Sequence, residues 1–240
     1  MFIVTLVTGC NSAYFKFLVR VLTNIFSIIV RKTYLGVKFN VVVYDLGLKD
    51  EEVSQITAMF PGLTIETFDF DKYPEHVSLE KYNGHNCSYA WKPIIIHEVC
   101  EEYKGLVHWF DTRNLYSTFT NLIQAIGKYC IYTPVSCCSI EQLTHSTTLR
   151  YMNGYPYRKF PLRAAGVFGV NYDVEWCRDF VREWKDLALV KKCIVPQGSN
   201  RSNHRQDQSV LSILYYKYWH KYRFKRINGN INLGVQQELK

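Results

Sequence analysis

Phe2-Ile3-Val4-Thr5-Leu6-Val7-Thr8, closed by Gly9-Cys10-Asn11, decides how the rest of the chain is read. It is a short β-rich apolar run ended by turn residues, the pattern of a strand buried on both faces. A helical stretch follows over 12–31, with Ser12 as its expected cap. Val41-Val42-Val43-Tyr44 is a second buried strand, stopped by Asp45-Leu46-Gly47. Residues 49–60 form a short polar-faced helix ending at Pro61-Gly62, and 63–68 a third strand. The first 70 residues therefore read βαβαβ, the signature of a parallel sheet covered by helices.

Farther along, Trp91–Tyr103 has the pattern of a helix. Gly105-Leu106-Val107-His108-Trp109-Phe110 is a strand that delivers Asp111 at its carboxyl end, where ligands of open α/β sheets bind. Residues 136–162 read as loop-rich, 164–170 as a strand and 173–189 as a helix with apolar residues at helical spacing. A turn-rich connection leads to His204-Arg205-Gln206-Asp207-Gln208-Ser209, the opening of the last long helix. The fold class expected is α/β, with a Rossmann-like, mainly parallel sheet flanked by helices, in one domain over 1–240.

The chain of 240 residues is 48% hydrophobic and 15% aromatic, which excludes a disordered protein. Its net charge of +8 is unevenly spread. Residues 1–189 hold 19 basic and 19 acidic side chains, and residues 190–240 hold 10 basic against 2 acidic. That asymmetry points to a local anionic partner. The 8 cysteines form no CxxC pair and no zinc spacing, so reduced thiols are expected. Asn86-Cys-Ser and Asn200-Arg-Ser match the N-glycosylation pattern, which arises often by chance. Phe17–Val30 is apolar but interrupted by Arg20 and Asn24, and reads as too short and polar to span a bilayer. With no signal peptide visible, a cytoplasmic location is the expectation.

Several segments carry side chains suited to an anionic ligand. In Thr8-Gly9-Cys10-Asn11-Ser12-Ala13-Tyr14, Gly9 permits a sharp turn, Asn11 can read a base edge and Tyr14 offers a stacking face. In Tyr89-Ala90-Trp91-Lys92-Pro93 the proline suits a helix's first turn and Lys92 can neutralise phosphate. In Trp109-Phe110-Asp111-Thr112-Arg113 a carboxylate stands at a strand end with a guanidinium two residues on. Leu162-Arg163-Ala164-Ala165-Gly166-Val167 has the small residues that let backbone approach a ligand, or that simply pack a central strand. The start of the last helix gathers an imidazole, a guanidinium, a carboxylate and an amide where free N–H groups can meet an anion.

Taken in order, these segments resemble the GT-A-fold nucleotide-sugar glycosyltransferases. The details Tyr44-Asp-Leu-Gly-Leu, Tyr89-Ala-Trp-Lys-Pro and His204-Arg-Gln-Asp-Gln-Ser are most similar to a poorly characterised glycosyltransferase-like domain of animals and large DNA viruses. The resemblance implies a nucleotide-binding half over 1–115 and an acceptor and sugar half over 116–240. It implies transfer of a sugar from a nucleotide-diphosphate donor, UDP by default, to a glycan or glycoprotein acceptor. Asp207-Gln208 looks like the Asp-Gln pair of retaining members, which makes retention the expected outcome and these two residues the catalytic pair.

By the same resemblance Thr8, Asn11, Tyr14, Lys92, Arg113, Ala165, Gly166, His204 and Arg205 bind nucleotide or donor. Asp111 is the metal ligand for Mn²⁺ or Mg²⁺, since divalent cations take oxygen ligands and offset leaving-group charge. Arg113 stands where the second acid of Asp-x-Asp is usual. Two arrangements stay open: Asp111 holds a metal with help from His204 or Asp207, or Arg113 and Lys92 replace the metal. Two other functions compete. One is a catalytically inactive glycosyltransferase-like scaffold. The other is a polyanion or nucleic-acid binder using Lys217-Tyr-Trp-His-Lys-Tyr-Arg-Phe-Lys-Arg226, although a solvated helix face accounts for that segment better and nucleic acid is not the expected partner.

Overall fold

The computed structural model describes residues 2–31, 36–79, 87–224 and, for the backbone alone, 235–237. In chain order the elements are β1 (Phe2–Cys10), α1 (Phe15–Arg31), β2 (Val37–Asp45), α2 (Asp50–Met59) and β3 (Leu63–Thr67). There follow α3 (Trp91–Tyr103), β4 (Leu106–Phe110), β5 (Asn114–Tyr116), α4 (Thr120–Tyr129), β6 (Ile131–Tyr132), β7 (Val135–Ser139) and α5 (Ser146–Tyr151). The chain continues through β8 (Pro161–Arg163), β9 (Val167–Asn171), α6 (Glu175–Ala188), α7 (Lys191–Ile194), α8 (Gln206–Tyr222) and β10 (Val235–Gln237).

Six strands form one sheet in the order β3-β2-β1-β4-β9-β6. The β1–β2, β1–β4 and β2–β3 pairs are parallel. β9 runs antiparallel to both β4 and β6. The expected α/β class is therefore observed, with an antiparallel strand set into a mainly parallel sheet. Alternate side chains enter two cores. Val7, Val42 and Tyr44 pack toward α3, α6 and α8, while Val4, Leu6, Val41 and Val43 pack toward α1 and α4. Burial on both faces is why these strands read as unbroken apolar runs.

Ser12 does not cap α1; its hydroxyl bonds the Glu52 carboxylate and the Gly47 carbonyl, tying α1 to α2. Within the apolar N-terminal helix, Asn24 clamps β5 through both backbone groups of Tyr116, at 2.9 and 2.8 Å. With the preceding 3₁₀ turn the helix spans Ser12–Arg31, and among the described residues it is the one helix that by length and composition could cross a membrane. Leu18, Val21, Leu22, Ile25 and Ile28 are buried in the core.

The stretch expected to be loop-rich contains most of β7, α5 and the start of β8, and the strand expected over 164–170 is observed as β9, starting at Val167 after a turn at Ala164–Gly166 that separates it from β8. Asn86 and the residues beyond Phe224 in the basic-aromatic segment lie outside the described residues. Within that segment, Tyr222 and Phe224 stack on Trp176 of α6, at 5.4 and 4.9 Å between ring centroids. Tyr218 meets Phe180 edge-on, and Lys217 pairs with Glu183. These aromatics pack against α6.

Candidate functional site

The carboxyl ends of β1 and β4 open onto two clefts that share a floor. The first, of about 360 Å³, is lined by Gly9, Asn11, Tyr14, Trp91 and Arg113 among others. The second, of about 340 Å³, is lined by Asn114, Ser136, Ala165, Gly166, Arg205, Asp207 and Gln208 among others. Tyr89, Lys92, Asp111 and Arg201 line both and mark the junction.

Gly9, one residue before the end of β1, has no room for a side chain: a Cβ would stand 3.0 Å from Leu46, 3.2 Å from Trp91 and 3.3 Å from Trp109. The two indole rings lie 5.9 Å apart, Trp91 lining the first cleft and Trp109 fully buried against it. Asn11 and Tyr14 follow directly on the turn, and the Asn11 Oδ1 is buried with no hydrogen bond from the chain.

Lys92, in the first turn of α3, is buried and lies between two carboxylates. Its Nζ is 3.2 Å from Asp111 Oδ1 and 3.0 Å from Asp207 Oδ2. The dipole of α3 disfavours a cation at this end of the helix, so the two acids are what make the position tenable. Burial works against the ammonium's charge, but Asp111 and Asp207 outweigh it and hold Lys92 above the ordinary lysine range. Burial raises Asp207, with Lys92 opposing.

Asp111 is fixed from several sides. Trp109 Nε1 donates to its Oδ1 at 2.9 Å, and its own N–H donates to the Gly166 carbonyl at 2.9 Å. Asn114 Nδ2 donates to the same carbonyl at 2.8 Å. A Cβ on Gly166 would stand 2.6 Å from Asp111 Oδ2, so the small residue at this turn is what gives the carboxylate its place.

Asp207 and Gln208 occupy the first turn of α8, in the second cleft. The helix opens through Gln206 at φ 38°, a left-handed conformation that costs a non-glycine residue on the order of 1–3 kcal/mol. Ser209 braces this start, accepting from the Arg205 N–H at 2.9 Å and donating to the Leu143 carbonyl at 2.6 Å.

Of the residues expected to contact nucleotide or donor, Asn11, Tyr14, Lys92, Arg113, Ala165, Gly166 and Arg205 line one cleft or both, as do Asp111, Asp207 and Gln208. Two do not. Thr8 is fully buried within β1. His204 is fully buried too; its Nε2 is 2.9 Å from the Ile194 carbonyl, and its Nδ1 accepts from the His145 N–H. That imidazole holds the approach to α8 in place and is not presented to a ligand. Arg163, in the same segment as Ala165 and Gly166, is buried against Tyr215 and Tyr216 and donates to the Tyr216 hydroxyl and the Thr133 carbonyl.

Arg201 and Asn114 escaped the sequence reading. Arg201 sits in a turn organised by Asn200, whose Oδ1 accepts from the Ser202 N–H, and by Asn203, which donates to the Gly198 carbonyl. A basic residue one turn before an anion-suited helix start was the available signal.

The donor set does not fit a divalent cation. No cluster of three or more His, Cys, Asp or Glu exists among the described residues. Asp111 Oδ1 is already engaged by Lys92 and Trp109, Asp207 is only 7% exposed and held by Lys92, and His204 faces the core. One oxygen of Asp111 is left, where such an ion, with waters and substrate phosphates completing its shell, is held by one or two free carboxylates. The expected role of Asp111 as metal ligand is thus not supported by the groups around it.

A family described as a protein of unknown function (DUF1647) matches residues 4–97. No curated protein matches the chain by sequence. Among solved structures, the chain is similar to the galactosyltransferase LgtC, solved with donor and acceptor sugar analogues. The identity is 14% and the TM-score 0.60, over 98% of this chain and 87% of that one. It is similar to mouse xyloside xylosyltransferase 1, at 11% identity and TM-score 0.58, over 99% and 98% of the two chains. Core-mannan synthase A of Aspergillus fumigatus, in its Mn/GDP form, matches at 8% identity and TM-score 0.51, over 88% and 68%. The chain has the GT-A fold of these enzymes.

Proposed function

We propose that this protein is a glycosyltransferase that moves a sugar from a nucleoside-diphosphate donor to a glycan or protein acceptor with retention of anomeric configuration. UDP is the default leaving group. The observation that carries this reading is the meeting of two clefts at Lys92 and Asp111, with Asp207 and Gln208 in the second. Asn11, Tyr14 and the indoles below them suit a nucleoside, and the polar second cleft suits a sugar and its acceptor. The division of labour falls near residue 115, between a nucleotide half and a sugar and acceptor half.

In this reading the bond from the anomeric carbon to the diphosphate breaks, and its electron pair leaves with the phosphate oxygen. Positive charge then develops on the sugar ring. The Asp207 carboxylate and the Gln208 side-chain oxygen stabilise that charge from beneath, as carboxylates do in glycosidases. Lys92 opposes the effect of burial on Asp207 and fixes the carboxylate in place, so little reorganisation is needed as the charge appears. The acceptor hydroxyl attacks from the face the diphosphate leaves, and its proton passes to the departing phosphate.

The experiment is turnover of UDP-glucose, UDP-galactose and GDP-mannose, followed by NMR to assign the product anomer. Wild-type protein should release nucleoside diphosphate from at least one donor, and Asp207→Asn should be slower by about 10²–10³-fold with its fold intact. Equal rates in the two proteins would remove Asp207 from the mechanism. Arg113, in place of the usual second acid, favours one other reading: an inactive relative that binds donor and does not turn it over. Saturable donor binding with no release from any donor would select it.

A further inference from the structure

We propose that the donor diphosphate is held by the chain's own guanidinium groups, Arg113 and Arg201 above all, and that its binding needs no divalent cation. This rests on the transferase reading and goes beyond it. The two clefts together are lined by four cations (Lys92, Arg113, Arg201, Arg205) and two carboxylates (Asp111, Asp207), a balance of +2. Those groups already carry the charge to meet a diphosphate.

The cations have different duties. Lys92 is spent internally, because both carboxylates of the site lie within 3.2 Å of its Nζ. The three arginines are not: none has a carboxylate within 4 Å among the described residues. Arg113 is oriented instead of paired. Its guanidinium carbon lies 4.6 Å from the centre of the Phe17 ring and 5.6 Å from that of Tyr14, and its Nε is buried without a hydrogen-bond partner. Stacking on two rings fixes the plane of a guanidinium and leaves its N–H edge for a ligand. Arg201 lines both clefts, so it faces the junction where the phosphates must lie if nucleoside and sugar occupy one cleft each. A bidentate guanidinium supplies phosphate with both charge and direction, which is what a metal would otherwise supply.

The test is calorimetric titration of the full chain with UDP and with GDP, in excess EDTA and again with Mn²⁺ or Mg²⁺. At least one nucleotide should bind in EDTA, with an affinity within about threefold of that with metal, roughly 0.7 kcal/mol. Arg113→Gln and Arg201→Gln should each weaken that metal-free binding about tenfold or more, charge-assisted pairs being the strong class. Arg113→Asp, which rebuilds an acidic pair with Asp111, should abolish it. Melting temperatures without ligand report whether the variants fold. Binding that appears only with metal would overturn this inference and leave the transferase reading standing, as would wild-type affinity in Arg113→Asp under EDTA. No binding of either nucleotide under any condition would remove both.

Discussion

His108 illustrates how one side chain of the sheet is tied to the medium around it. It is fully buried in β4, with Nδ1 3.1 Å from the Phe168 carbonyl and Nε2 2.8 Å from the Tyr116 hydroxyl. A carbonyl can only accept, so Nδ1 carries the proton and Nε2 accepts from the tyrosine. Burial lowers the ring's pKa to about 3, the Phe168 carbonyl opposing. Below the unfolded-state value of about 6.5 the unfolded chain binds a proton that the native chain does not. Stability is therefore fully present above about pH 6.5 and lost as pH falls toward 3, at up to about 1.4 kcal/mol per pH unit from this group. Burial lowers His76 and His97 too, and both add in the same direction. Urea unfolding at pH 7, 6, 5 and 4 should give a shallower acid dependence in His108→Gln than in wild type, despite a lower starting stability at pH 7. Parallel curves would mean that His108 is not the group titrating.

Among the elements, β9 was the least readable. Val167-Phe168-Gly169-Val170 has the apolar run of a buried strand, which fixes its burial but not its direction; parallel and antiparallel central strands bury the same residues. Its glycine has a definite reason. A Cβ at Gly169 would stand 2.4 Å from Cδ1 and 2.5 Å from Cγ1 of Ile126, so α4 lies directly on that backbone. Gly169→Ala should cost about 1–3 kcal/mol by overpacking, and Ile126→Ala in the same chain should recover part of it. Additive losses in the double variant would place the two residues out of contact. The loop-rich reading of 136–162 missed α5 and β7 for a related reason: six- and five-residue elements are too short for periodicity to build a signal.

On the scale of the molecule, the sheet order assigns unequal stability to the strands. β1, β2 and β4 are central and face both cores, whereas β3 is an edge strand whose residues are only partly buried, and its neighbour α2 buries Ile56 alone. Amide hydrogen exchange should find β1 and β4 protected up to the global unfolding free energy, with β3 and α2 at least about tenfold less protected through local opening. Uniform protection across the sheet would contradict that ordering. The parallel core was legible because apolar strands alternate with helices over the first 70 residues. The site was legible only where its residues stand at strand and helix ends, as Asn11, Asp111 and Asp207 do. His204 carried the same kind of signal, yet one turn of backbone aims it at the Ile194 carbonyl, and residue type says nothing about aim. Arg201 contributes from a turn whose position depends on the whole chain being folded.

The Lys92 ion triplet also fixes when the electrostatic work of the site is done. Two of its three charges, Lys92 and Asp207, are removed from water as the chain closes over them, at the expense of hydrophobic free energy released elsewhere in the same event, while Asp111 stays half exposed. What remains for the moment of encounter falls to the arginines of the clefts. The floor of the pocket resembles a cast mould more than a hand: the Lys92–Asp207 pair is set before any ligand arrives, and a ligand is selected by how it fits that fixed pair.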